Sequence, residues 1–260
     1  MKPKVLVLTG YGINCDYETE YAFSSSGGEA HRIHVNSLIE KPALLEQYQI
    51  LAIPGGFAYG DDLGSGKILA VKLASHLSDA LSQFLEKKKL IIGICNGFQV
   101  LVKLGMLPGA GKKFQQTSTL TFNESGKFED RWVHLNVRAK SPCVFTKDIE
   151  YLSLPVRHGE GCFVTENQAT LERLIKNNQI VLQYVDDKRK EAGYPWNPNG
   201  SQNNIAGICD VTGRVFGLMP HPEAFLEPTN HPSWTRKSET IVTAKKIFLN
   251  AIEYVKTNLG

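Results

Sequence analysis

Short apolar runs alternate with longer amphipathic stretches over the first hundred residues, and the two periods predict strands and helices in turn. Val5-Leu6-Val7-Leu8, Ile50-Leu51-Ala52-Ile53 and Leu90-Ile91-Ile92 are continuous and apolar, so residues 4–9, 50–53 and the run leading into Gly93 read as buried strands. Residues 30–35 alternate more weakly and give a further strand, on which His31 and His34 point to opposite faces as ordinary histidines. Helical spacing covers residues 16 to about 26, with Asn14 or Asp16 as the cap and Gly27-Gly28 as the stop. It returns over residues 68–85, and again after Cys95 at Phe98, Leu101 and Val102. Strand, helix, strand in succession implies a parallel sheet.

Beyond Gly105 the rhythm changes. Residues 118–122, 132–137, 151–156 and 162–165 read as strands with no long helix between them, which points to antiparallel additions. A short helix over 168–176, a strand over 181–185 and a breaker-rich loop over 194–201 follow. Residues 205–209 and 214–218 form a hairpin through Asp210-Val211-Thr212-Gly213, and an amphipathic helix over 240–255 closes the chain. The expected fold is α/β, a mostly parallel central sheet flanked by helices with added antiparallel strands. No repeat or linker divides residues 1–260, so one domain is expected.

Composition narrows the function classes. The chain of 260 residues is 42% hydrophobic and 21% charged, as in a soluble globular protein. A net charge of +3 with scattered Lys and Arg does not suggest nucleic-acid binding, and Glu86-Lys87-Lys88-Lys89 reads as a solvated helix end. The apolar run after Met1-Lys2-Pro3-Lys4 stops after four residues, short of the roughly 7–15 of a signal peptide, and no run approaches the roughly 20 of a membrane span. Cysteines at 15, 95, 143, 162 and 209 include no Cys-x-x-Cys pair, so neither a zinc cluster nor a disulfide framework is indicated and no metal site is expected. A reducing cytoplasm fits these features.

The candidate chemistry centres on Gly93-Ile94-Cys95-Asn96-Gly97, at a strand-to-helix turn. Such a turn lifts its middle side chain out of the sheet on a strained backbone, and the helix N-terminus favours a thiolate there. A buried structural cysteine is the plainer alternative. Pro54-Gly55-Gly56-Phe57 follows the third strand, at the sheet edge that carries Cys95, and paired glycines can aim N–H groups at a developing oxyanion. His221-Pro222-Glu223 ends the last strand; if the chain stays extended there, both side chains point one way and Glu223 can orient His221 as base for Cys95. The acid follows the histidine, unlike the order in α/β-hydrolases.

These residues resemble the class I (triad) glutamine amidotransferases. Gly12-Ile13-Asn14-Cys15-Asp16, Gly55 through Asp61, Arg157-His158-Gly159-Glu160-Gly161, Tyr194 through Gly200 and Met219 through Glu223 are similar to one branch, the glutaminase subunits of phosphoribosylformylglycinamidine synthases of purine biosynthesis. The resemblance implies a flavodoxin-like fold and a triad of Cys95 as nucleophile, His221 as proton shuttle and Glu223 as its orienting group. It implies an oxyanion hole from N–H groups near Gly56 or Phe57 and at Asn96, and glutamine held by Gln99 and by His158-Gly159 beside Gly55. The implied substrate is L-glutamine, hydrolysed to glutamate and ammonia. The implied partner is a large synthetase subunit that uses ATP and Mg, with a small accessory subunit left open, and no cofactor belongs to this chain. Neither a nucleic acid nor a membrane is among the implied partners. An amidotransferase serving a different synthetase, or a subunit that binds without catalysing, stays open on the same residues.

Overall fold

The computed structural model describes residues 2–109, 114–236 and 243–260. Four strands, β1 (Lys4–Thr9), β2 (Glu29–His34), β3 (Ile50–Ile53) and β4 (Leu90–Ile94), come early in the chain and are joined much later by β11 (Val215–Leu218). These run parallel in the order β2-β1-β3-β4-β11. The apolar runs predicted as strands are fully buried, as a sheet covered on both faces requires.

Helices α1 (Asp16–Ser25), α2 (Val35–Glu40), α3 (Lys67–Glu86), α4 (Asn96–Lys103), α5 (Gln168–Lys176) and α6 (Lys245–Asn258) flank the sheet. Helix α1 packs on β1 and β2, α2 meets α3, and α4 packs on α3. The closing helix α6 returns to α1, where Phe23 meets Phe248 edge to face at 5.0 Å between ring centroids. The predicted start of that helix at Thr240 lies outside the described residues.

The antiparallel strands do not form a separate layer. Strands β10 (Ile205–Cys209), β9 (Ile180–Val185), β6 (Glu129–Val137) and β7 (Tyr151–His158) continue the same sheet beyond β11 to a total of nine. Strands β5 (Ser118–Phe122) and β8 (Glu160–Thr165) leave it and pair with each other. The turn between β7 and β8 therefore bends from the main sheet toward the edge carrying the carboxyl ends of β3 and β4.

Local expectations are corrected at three places, the cap of α1, the segment after His34 and Lys89. The cap of α1 is Cys15, whose side chain makes no capping bond, while Asp16 turns its carboxylate to Arg32 at 3.4 Å. Residues after His34, expected to be a polar connection, form α2; the His34 imidazole caps it, accepting from the Asn36 N–H at 3.2 Å. His31 meets the Tyr48 hydroxyl at 3.2 Å. Lys89 is not a solvated end, because its ammonium is turned inward to the Glu46 carbonyl at 2.8 Å and is 7% exposed.

Candidate active site

Four adjacent parallel strands, β1, β3, β4 and β11, open their carboxyl ends at one edge, and the strand order reverses between β1 and β3. That reversal parts the loops above the sheet and leaves a crevice. Each strand delivers one piece: Cys15 follows β1, Gly55 follows β3, Cys95 follows β4 and His221 follows β11.

Cys95 sits between β4 and α4 with φ +50° and ψ −106°, the strained turn that its flanking glycines predict. The glycines are required by contact: a Cβ on Gly97 would lie 1.9 Å from the Ile53 carbonyl oxygen, and one on Gly93 would lie 2.5 Å from that of Gly97. The Cys95 N–H donates to the Leu218 carbonyl at 2.8 Å, which ties the elbow to the strand that carries His221. Its Sγ lies 3.7 Å from the Arg157 carbonyl oxygen, at the end of β7.

His221 and Glu223 meet, though by another route than extended backbone. Residues Pro222–Ala224 form a 3₁₀ turn, and within it Glu223 Oε1 lies 2.6 Å from His221 Nδ1. Both are buried, at 2% and 3% exposure. Burial by itself would lower the His221 pKa, but Glu223, Cys95 and Cys15 together outweigh it and raise it well above the usual imidazole value. The His221 N–H donates to the Pro155 carbonyl at 2.9 Å, pinning the turn to β7.

The loop after β3 is laced to the loop after β1. Asn14 and Cys15 donate backbone N–H groups to the Gly55 carbonyl at 3.3 and 3.2 Å, and Phe57 donates to the Gly12 carbonyl at 2.8 Å. The Phe57 N–H is thus engaged, while the Gly56 N–H makes no hydrogen bond among the described residues. Gly56 has φ +147°, and a Cβ there would lie 2.5 Å from the Gly12 carbonyl oxygen. Asn96, the first residue of α4, has no intrahelical acceptor for its N–H. Gly56 and Asn96 thus each carry a backbone N–H with no acceptor among the described residues.

The remaining predicted residues occupy this neighbourhood in different ways. The Asn96 side chain accepts from the Ala58 N–H at 3.1 Å and donates to Asp61 at 3.0 Å and to Gln99 Oε1 at 2.9 Å. Gln99 also donates to the Glu160 carbonyl, so its carboxamide is engaged at both ends. His158 ends β7, buried, with Nδ1 3.1 Å from Asn123 Oδ1 and Nε2 without a partner among the described residues. Burial, and then the charge on His221, push its pKa down to about 3, so it is neutral. Gly159 follows it and accepts from the Asn123 N–H at 2.9 Å through its carbonyl.

Sequence reasoning assigned no role to Asp61, Asn123, Glu160 or Cys15. Asp61 accepts from Asn96 and from the Gly66 N–H at 3.0 Å, and the Glu160 carboxylate accepts from the Ser65 N–H at 3.3 Å, so both fasten the loop over α4. Cys15 Sγ lies 4.0 Å from His221 Nδ1, with its thiol pKa raised by burial against the opposing effect of His221. All four lie in or beside motifs that carried the resemblance, except Asn123, which had no local signal. Among the described residues, no helix is long and apolar enough to cross a membrane.

The sequence matches the family described as CobB/CobQ-like glutamine amidotransferase domain over residues 2–255. It is 46% identical to the phosphoribosylformylglycinamidine synthase subunit PurQ of Dehalococcoides mccartyi, over 98% of each chain. It is 36% identical to part of the phosphoribosylformylglycinamidine synthase of Schizosaccharomyces pombe, covering 85% of this chain and 17% of that one. The fold superposes on a chain in the structure of PurLQS from Thermotoga maritima with a TM-score of 0.73 and 32% identity, over 98% of this chain and 100% of that one.

Proposed function

The chain belongs to the CobB/CobQ-like glutamine amidotransferase family, and on that premise we propose that it is the glutaminase subunit of a phosphoribosylformylglycinamidine synthase, working as one domain with Cys95, His221 and Glu223 as its catalytic triad. The observation that carries the chemistry is the Cys95 elbow, set on the same sheet edge as a buried His221–Glu223 pair.

In this reading Cys95 Sγ attacks the carboxamide carbon of L-glutamine. His221 takes the thiol proton and returns it to the departing nitrogen, a task suited to an imidazole whose proton affinity Glu223 raises. The carbonyl oxygen becomes an oxyanion facing the N–H groups of Gly56 and Asn96. Ammonia leaves, and a glutamyl thioester remains on Cys95. Water, losing a proton to His221, then attacks the thioester; glutamate departs and the thiol is restored. Glu223 keeps the imidazole oriented through both halves.

Asn96, Asp61, Gln99 and Glu160 fix the loop that bears Gly56, and His158 with Gly159 borders the space for the amino-acid end of the substrate. The partner is the large synthetase subunit, which uses ATP and Mg to activate formylglycinamide ribonucleotide for attack by ammonia. This chain has no Walker A loop of its own. Ammonia released to neutral water would become non-nucleophilic ammonium, so delivery must be direct. The fused relative, in which the matching segment is a small part of a longer chain, supports that pairing. The compartment consistent with this role is the cytoplasm.

The test is intact mass after exposure to an electrophilic glutamine analogue. A single adduct is expected on wild type, blocked by glutamine and absent from Cys95→Ala. An adduct that persists in Cys95→Ala would assign the nucleophile elsewhere.

A further inference from the structure

Cys15 takes no part in the steps above, yet its thiol is turned into the same crevice. It comes from the β1–α1 turn, 206 residues from His221 in sequence, and its Sγ lies 4.0 Å from His221 Nδ1. Gly55 makes the approach possible: a Cβ there would sit 2.8 Å from His221 Cε1, 3.3 Å from Cys15 Sγ and 3.4 Å from Cys95 Cβ. One donor atom from each of Cys15, His221 and Glu223 lies within 4.8 Å of the others. Thiolate, imidazole and carboxylate together are a zinc-type donor set, softer than the all-oxygen sets of magnesium or calcium.

A second observation points to a cation. Glu223 Oε2 is buried with no hydrogen-bond partner among the described residues. An orphaned carboxylate oxygen beside an imidazole and a thiol is an acceptor that a metal ion would satisfy.

We propose that Cys15, His221 and Glu223 form an inhibitory site for zinc, in which the metal replaces the proton shared by His221 and Glu223. Zinc would bind His221 Nδ1, a Glu223 oxygen and Cys15 Sγ, with water in the fourth position. The 2.6 Å contact between Nδ1 and Oε1 must widen to about 3.3 Å for tetrahedral bonds of about 2.0–2.2 Å, a shift within reach of a carboxylate rotation. The Cys15 thiol gives its proton to solvent, as does any second proton on the imidazole. The bound imidazole keeps one proton on Nε2 and has no lone pair left for the proton of Cys95. Zinc thus removes the base while leaving Cys95 unligated. Binding rests on these three side chains alone; inhibition rests also on the proposed glutaminase reading.

The test uses the full chain, stripped with a chelator and titrated with zinc alone against a chromophoric competitor. Wild type should bind one zinc ion. Cys15→Ala should lose about tenfold or more in affinity, Cys15→His should recover part of it, and Cys95→Ala should bind as wild type does. Glutamate formation, measured with the synthetase present, should fall on adding zinc to wild type and recover with chelator. The ratio of rates with and without zinc should move toward one in Cys15→Ala. Undiminished zinc binding by Cys15→Ala would overturn the site, and loss of binding in Cys95→Ala would overturn it by assigning zinc to the Cys95 thiol. A wild-type protein inactive when free of metal would instead count against the glutaminase reading, and the zinc titration would still decide the site.

Discussion

His158 shows how far a single buried side chain departs from its solution chemistry. Its pKa falls from 6.5 to about 3, first because burial disfavours the imidazolium and then because His221 is positively charged nearby. The unfolded chain binds a proton here below about pH 6.5 and the folded chain does not, so the folded state loses stability as pH falls through that window toward pH 3. At pH 5 the loss from this one group is about 2 kcal/mol relative to pH 7. Urea unfolding at the two pH values should therefore show a steeper acid loss in wild type than in His158→Asn. Equal losses would mean that His158 is protonated in the folded protein. Of the site residues, Cys95, His221 and Glu223 were legible from local pattern, because an elbow and a His-x-Glu pair are local in sequence. The engagement of Gln99 with Asn96 and Glu160 was not, since Glu160 lies 61 residues away. Nor was the pairing of the Phe57 N–H with Gly12, which shifts the open donor to Gly56.

Among the elements, the β4–α4 elbow has the least tolerance. Gly97 lies against the Ile53 carbonyl on β3, and replacing it with alanine forces the first turn of α4 away from that strand. Gly97→Ala should cost about 3 kcal/mol or more, seen as a lower urea midpoint, and should lose activity even where folded protein is recovered. A variant as stable as wild type would show that the turn is looser than its contacts imply. The buried strands and the long helices were readable because each carries a full period of apolar positions. Helix α2, at six residues, was too short to display a period, and its cap is a histidine, an uncommon capping residue. The turn at Pro222–Ala224 shows a correct pairing reached for a different reason, a tight 3₁₀ turn instead of extended chain.

At the scale of the molecule, one strand order puts four loops at one sheet edge, and the proposed function needs a partner to use the ammonia. With the Phe57 N–H held by Gly12, the loop after β3 is held in place by the loop after β1. Docking of the synthetase should reshape that loop and raise glutamine turnover by about tenfold or more over the isolated chain. Equal turnover with and without the synthetase would remove this coupling.

The sequence by itself determined four of the five parallel strands, the elbow and its glycines, and the local pieces Cys95 and His221-Pro222-Glu223, because periodicity and short-range turn chemistry are properties of neighbouring residues. The tertiary structure alone decided that the later strands extend that sheet while β5 and β8 leave it. It alone brought Cys15 against His221, and Asn123 against His158, across long separations in the chain. Strand order and packing of distant loops depend on which buried surfaces find each other, and no local pattern encodes that choice.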